Sequence, residues 1–277
     1  MNTNNNTYTV IYTTLVCVLV AAILAFVSQS LGPKQAANEK AETISQILTA
    51  AKFGDKAEWQ AKGNAAVLDF YKDNIAKAFV IDANGSNAGE LNTADAEIYS
   101  VSNLKAQNYN IKDEAKAGDV KIPVYQFKNG VTVLPIYGAG LWGPVWGYIA
   151  FDKDYETMVG AYFDHESETP GLGGKIKDDP SFRAQFEGKS VDYSDVAPFA
   201  IVKGGAPEGK ANAIDAITGA TMTSKGVNAA VNQWLEAYKP FLEGAQNAIK
   251  AAEEAAKAAA EAEAAAAAEA EQTKVEE

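Results

Sequence analysis

Cysteine and histidine are nearly absent from this sequence. Its 277 residues include one of each, Cys17 and His165. One cysteine rules out an intramolecular disulfide, and the chain alone cannot supply the thiolates of an iron–sulfur cluster. One histidine removes Cys/His zinc sites and paired-histidine metal sites, so no metal ligands are assigned. No catalytic residue is assigned either. There is no G-x-S-x-G elbow, and His165 lies between Asp164 and Glu166, a setting typical of a structural imidazole. A basic stripe is also lacking. The formal net charge is −12, and the segment from Gly244 onward, with eight Glu and three Lys, contributes −5 of it. Such a chain repels phosphate backbones, so no nucleic-acid partner is expected.

Charge is missing altogether from Tyr8 to Leu31, 24 residues that read YTVIYTTLVCVLVAAILAFVSQSL. As a helix this run is ~36 Å long, enough to cross a lipid bilayer with some tilt. A cleaved signal peptide fits less well, because no Lys or Arg precedes the apolar run and the run exceeds a usual h-region. A retained anchor over 8–31 is the reading adopted. Lys34 and Lys40 follow it and weakly favour a cytoplasmic C-terminal side.

What is present is ample for a core, with a hydrophobic fraction of 47%. Ile44, Ile47, Leu48 and Ala51 recur at helical spacing, and helix is expected to about Asn74. AFVIDANG reads as a strand ending in an Asn84-Gly85 turn. IPVYQF and VTVLPIY form a hairpin across KNG, with Gly130 at the turn. PVWGYIAF and TMVGAYF continue an antiparallel meander. A short helix is predicted in DDPSFRAQFEG, capped by Asp179 with Pro180 in its first turn. PFAIV follows, and then a Gly-rich loop. Val227, Val231, Trp234 and Tyr238 mark an amphipathic helix, expected to close at Pro240. The Ala/Glu/Lys tail from Gly244 has no apolar stripe and reads as a solvated helix.

Three motifs look chemical and are rejected. GAGLWG matches a dinucleotide fingerprint, but Pro144 and an alternating aromatic strand follow it where a helix is needed. DANGSN starts like a calcium loop, yet Asn87 and Thr93 stand where Gly and Glu are required. GLGGKI lacks the hydroxyl residue that follows Lys in a P-loop.

DAITGATMTS, Asp215 to Ser224, gathers Thr218, Thr221, Thr223 and Ser224 just before the amphipathic helix. One hydroxyl is expected to cap that helix. A small-residue turn opening a helix is also a good seat for an anion, through free N–H groups and the helix dipole. Asp215-Ala216-Ile217-Thr218-Gly219-Ala220-Thr221 resembles the D-x-x-[ST]-G-A-T flavinylation motif of the FMN-binding domain family. LPIYGAGLWGPVWGYIAF, HESETPGLGGKI, the anchor and WLEAYKPFL resemble blocks of the C subunit of Na+-translocating NADH:quinone oxidoreductases. The resemblance spans roughly residues 5 to 243.

The resemblance implies a site. Thr221 would carry FMN through a phosphoester, installed by a flavin transferase that uses FAD. Thr218, Gly219 and Ala220 would shape the turn, Asp215 would serve transferase recognition, and Lys225 would pair with the phosphate. Glu168, Thr169, Leu172 and Gly173, in ETPGLGG, would approach the ring, with Leu141 and Trp142 packed on it. Thr223 and Ser224 are expected as helix caps. The resemblance further implies an α+β fold: an N-terminal transmembrane helix, then antiparallel sheet with flanking helices. Four segments are expected: anchor 8–31, an N-terminal α/β part 32–120, the FMN-binding domain 121–243 and the helical tail 244–277. It implies a single-pass protein of the bacterial inner membrane with a periplasmic domain, against the lysine hint, and partners in the other subunits of the complex. The chain would relay electrons from NADH towards ubiquinone or menaquinone. The G subunit of the Rnf complex, which couples ferredoxin and NAD, and an anchored non-redox binding module are the alternatives.

Overall fold

The computed structural model of the chain describes residues 6–275. The uncharged run and the helical pattern after it form one element, α1 (Asn6–Ala50), 45 residues without interruption. Pro33 sits inside it, where it removes one backbone hydrogen bond. The two halves of α1 differ in surroundings. Val10, Leu15, Leu19, Leu24 and Phe26 all face outward, whereas Ala41, Ile44, Ile47, Leu48 and Ala50 are buried. The apolar half is long enough to cross a membrane and none of that window is buried.

Helices α2 (Lys56–Lys62) and α3 (Asn64–Asn74) lead into strand β1 (Ile75–Ile81). The Asn84-Gly85 turn returns the chain to β2 (Asn87–Glu90). Asp82 holds that turn by accepting from the amides of Asn84 and Ser86, at 2.9 Å each. Helix α4 (Val101–Lys112) and a 3-10 turn follow. Strands β3 (Ile122–Phe127), β4 (Thr132–Ala139), β5 (Pro144–Phe151) and β6 (Met158–His165) form the predicted meander. Gly130, with φ 93°, makes the β3–β4 turn that only glycine adopts readily. The sheet is antiparallel in the order β2-β1-β3-β4-β5-β6. It therefore includes strands from both sides of residue 120.

Both faces of this sheet are covered. Alternate residues of β4 show it: Val133 packs with Ile44, Ile47, Tyr71 and Tyr148, while Leu134 and Ile136 pack with the last helix. Two short helices follow, α5 (Lys175–Asp178) and α6 (Pro180–Ala184), the second capped by Asp179 as read from the sequence. β7 (Ala200–Val202) then pairs in parallel with β8 (Ala213–Asp215).

Helix α7 (Thr221–Val275) presents Val227, Val231, Trp234 and Tyr238 to the sheet, as their spacing predicts. It does not close at Pro240. Phe241 beyond the proline packs edge-on against Phe79 and Tyr155, at 5.9 and 5.8 Å between centroids. Leu242 is buried, and Gln246 donates to the Tyr155 carbonyl at 2.9 Å. These contacts hold the helix past a residue whose missing N–H would otherwise end it. Residues 250–261 are all exposed.

Candidate functional site

The Asp215–Ser224 stretch is built as a strand, a turn and a helix start. Asp215 ends β8; its amide donates to Gln185 Oε1 at 2.8 Å, and its Oδ1 accepts from Ala206 at 2.7 Å. After Ala216, the four residues Ile217 to Ala220 close a turn through Ala220 N–H to Ile217 C=O, 3.1 Å. Gly219 is its third residue with φ 83°, the signature of a type II turn, which favours glycine there. Thr218 and Gly219 are exposed, Ala220 is buried, and Thr221 opens α7 half-buried. Lys225 is exposed one helical turn further on, on the same side as Thr221.

The two hydroxyls after Thr221 do not cap α7 as the sequence predicts. Thr223 is buried, and its Oγ1 donates to Glu168 Oε2 at 2.6 Å. Ser224 is buried too, and its Oγ accepts from Ile217 N–H at 3.1 Å, tying the turn back onto the helix. A buried hydroxyl is more useful joining segments than serving an amide that water can reach.

Glu168 connects three segments. Its carboxylate takes the Thr223 hydroxyl from α7 and the Trp142 amide, at 2.9 Å, from the β4–β5 connection. Its own amide donates to His165 Nδ1 at 3.1 Å, which gives the lone histidine a structural role. Burial acts to raise the Glu168 pKa. Bonds from Thr223 and from the Trp142 and Leu141 amides, with His165 nearby, outweigh it and hold the carboxyl below its ordinary value.

Three glycines make this approach possible. A Cβ on Gly140 would lie 2.3 Å from Glu168 Oε1, and one on Gly173 would lie 2.3 Å from Oε2. One on Gly226 would lie 2.2 Å from the Ala139 carbonyl, so α7 sits directly on the end of β4. The glycines of GAGLWG thus serve close packing, and β5 follows them rather than a helix.

Large apolar side chains stay in solvent around this arrangement: Leu141 and Trp142 on the β4–β5 connection, Leu172 on the loop after Glu168, and Met222 beside Thr221. Trp142 is 67% exposed. Leu172 reaches the Gly219 turn, with its Cδ2 3.2 Å from where a Gly219 side chain would start. In the same loop the Thr169 carbonyl accepts from Leu172 N–H at 3.1 Å and Gly174 N–H at 2.9 Å, so those two amides point inward. Sequence reasoning misses Met222 and the Glu168–Thr223 and Ile217–Ser224 bonds. Only the crowding of hydroxyls hints at the bonds, and nothing distinguishes Met222 from an ordinary helix residue.

An exposed turn with a hydroxyl at the helix start, and an apolar rim beside it, suit a ligand with a phosphate and a flat ring. Comparison with known proteins agrees. The FMN-binding domain family matches residues 140–236. The C subunit of the Na(+)-translocating NADH-quinone reductase of Vibrio vulnificus is 31% identical over 242 residues, covering 82% of this chain and 89% of that one. Its counterpart from Yersinia pestis is 44% identical over 115 residues, 40% of this chain and 42% of that one. The crystal structure of the same protein from Parabacteroides distasonis superposes with a TM-score of 0.62 at 32% identity, covering 76% of this chain and 96% of that one. The α+β architecture, the flavin-binding segment and the chain-long similarity together make this chain a member of the C-subunit family of Na(+)-translocating NADH-quinone reductases, built on an FMN-binding domain.

Proposed function

We propose that this chain carries FMN covalently on Thr221 and passes electrons within a membrane-bound, sodium-translocating NADH:quinone reductase. The observation that carries the reading is the placement of Thr221: the first residue of α7, after the Gly219 turn, with no side-chain hydrogen bond among the described residues. Thr223 and Ser224 are buried and engaged, and Thr218 lies on the turn before the helix. A flavin transferase would join the Thr221 oxygen to the FMN phosphorus of FAD. AMP leaves, the hydroxyl loses its proton, and nothing is oxidised or reduced.

The residues present fit such a group. Gly219 and Ala220 leave room for phosphate at the helix start, where free amides and the dipole favour an anion. Lys225 adds a positive charge one turn along. Leu141, Trp142, Leu172 and Met222 offer apolar surface to a ring, and Glu168 fixes the backbone beneath them. FMN, when bound, supplies the electron-carrying chemistry, and the protein supplies position and electrostatics. A tether keeps the group at high effective concentration outside the cytoplasm, where no pool would replace it.

The exposed apolar half of α1 would lie in the bacterial inner membrane, with Lys34 onward in the periplasm and the other subunits as neighbours. NADH, Na+ and quinone would bind those subunits. The relatives named above all carry the sodium-translocating reductase name, which favours this reading over the Rnf protein. The FMN-binding match favours it over a non-redox module.

Peptide mapping after co-expression with the transferase tests the attachment. FMN is expected on the peptide containing Thr221 and absent from the Thr221→Ala protein. Flavin on Thr218 or Thr223, or persisting in that variant, overturns the assignment. A reporter fused after Val275 tests the orientation; activity confined to the cytoplasm would reverse it.

A further inference from the structure

Glu168 is buried, negatively charged and bonded to three segments, yet it is too enclosed to be a surface contact for a bound ring. Its bond to Thr223 is 2.6 Å, in the range of a charge-assisted O–H···O⁻ contact. Each of its neighbours carries one element of the proposed site. Trp142 N–H belongs to the turn bearing Leu141 and Trp142. Thr223 lies two residues beyond Thr221. The Glu168 backbone begins the loop bearing Leu172. Ser167 strengthens the link, its hydroxyl donating to the Trp142 carbonyl at 3.0 Å. Gly140 and Gly173 leave room for the carboxylate, which a side chain at either position would meet.

We infer that Glu168 and Thr223 form a positioning clamp, which holds the Leu141–Trp142 turn and the Leu172 loop in register with the helix turn that bears Thr221. The clamp assigns Thr223 a role distinct from both attachment and capping. It also sets one fixed negative charge behind the apolar rim. The inference rests on the proposed flavin reading for its purpose, but not for its existence, since the clamp is formed by protein groups alone.

The test uses the full chain in detergent, prepared with and without the transferase. In the flavin-free protein, hydrogen exchange is followed at the Leu141 and Trp142 amides. Thr223→Val keeps the volume and removes the donor; it should speed exchange there at least tenfold. Thr223→Ser restores the hydroxyl and should return exchange to the wild-type rate. Unchanged exchange in Thr223→Val, or no rescue by Thr223→Ser, overturns the clamp. In the loaded protein, Thr223→Val should keep flavin on Thr221 with a lower yield and with fluorescence shifted towards that of free FMN. Glu168→Gln removes the charge at nearly constant shape and should move the flavin potential to a more positive value; an unmoved potential overturns the role of the charge. If Glu168→Gln does not fold, the two Thr223 variants decide the clamp. If the wild-type protein takes up no flavin from an active transferase, the functional reading fails, while the exchange measurements still judge the clamp.

Discussion

The Ser224 hydroxyl accepts the amide proton of Ile217, seven residues earlier, at 3.1 Å. That bond closes a loop whose members include Thr218, Gly219, Ala220 and Thr221. Both partners are buried, so removing the oxygen leaves an amide that water cannot serve. Ser224→Ala should cost ~1–3 kcal/mol in a urea unfolding experiment, the range for an unsatisfied buried donor. It should also lower the yield of flavin attachment. Loss of less than a few tenths would mean that the turn relaxes and finds another acceptor.

Gly226→Ala sets two effects against each other. Alanine favours helix by up to ~1 kcal/mol over glycine. Its methyl group would stand 2.2 Å from the Ala139 carbonyl, a backbone atom held in the sheet, and overpacking of this kind costs ~1–3 kcal/mol. The clash should win, and the melting temperature should fall. Gly244→Ala, with nothing within 4 Å, is the control and should raise it slightly. A rise in both would show that α7 can shift away from β4.

Trp142→Ala removes a ring that stands mostly in solvent, so stability should change by less than ~0.5 kcal/mol. Covalent flavin should remain, since the proposed attachment lies on α7. The flavin absorbance should shift through loss of a packing face. An unchanged spectrum would remove Trp142 from the site.

Acid should weaken the protein through Glu168. Its folded-state pKa lies below the ordinary carboxylate value, because the hydrogen bonds it accepts outweigh the opposing effect of burial. A depressed pKa stabilises the fold above the unfolded value of ~4.3. That contribution is lost as pH falls through the lower folded value. Urea midpoints measured downward from about pH 5 should therefore decline, and the decline should be shallower in Glu168→Gln. An equally steep decline would assign the acid sensitivity to other carboxylates.

Truncation should separate tail from domain. A stop after Lys250 removes residues 251–261, all exposed, with everything beyond them, and should leave melting and flavin content unchanged. A stop after Lys239 also removes the buried Leu242, and Phe241 and Gln246, which contact Phe79 and Tyr155. It should lower the melting temperature markedly. A large loss from the shorter deletion would show that the tail packs on something.

Period and turn chemistry make much of this fold readable. The Ile44 pattern, the KNG hairpin and the Val227 face each express a local rule strong enough to survive packing. Helix α4 is hard to see because its capping box joins Ser100 to Asn103, where the familiar pattern has Glu or Gln. Pro240 misleads because its neighbour Phe241 packs on β1 and on the β5–β6 turn, which lie far away in sequence; Gly85 packs directly on the backbone there. The proposed attachment motif is legible as residues in a row. The clamp is not, since Trp142, Glu168 and Thr223 meet only through the fold.

The unbroken course of α1 has a geometric consequence. Between Leu31, still outward-facing, and Ala41, buried against the sheet, the chain never leaves the helix. Each residue of a helix turns ~100° and rises ~1.5 Å. With the apolar half of α1 in a bilayer, as proposed above, the heading of the whole domain about the bilayer normal would be written in the residue count of that short shaft. One inserted residue would swing Thr221 through more than a quarter of a circle around the shaft. Seven would bring it back to within ~20° while lifting it ~10 Å from the membrane.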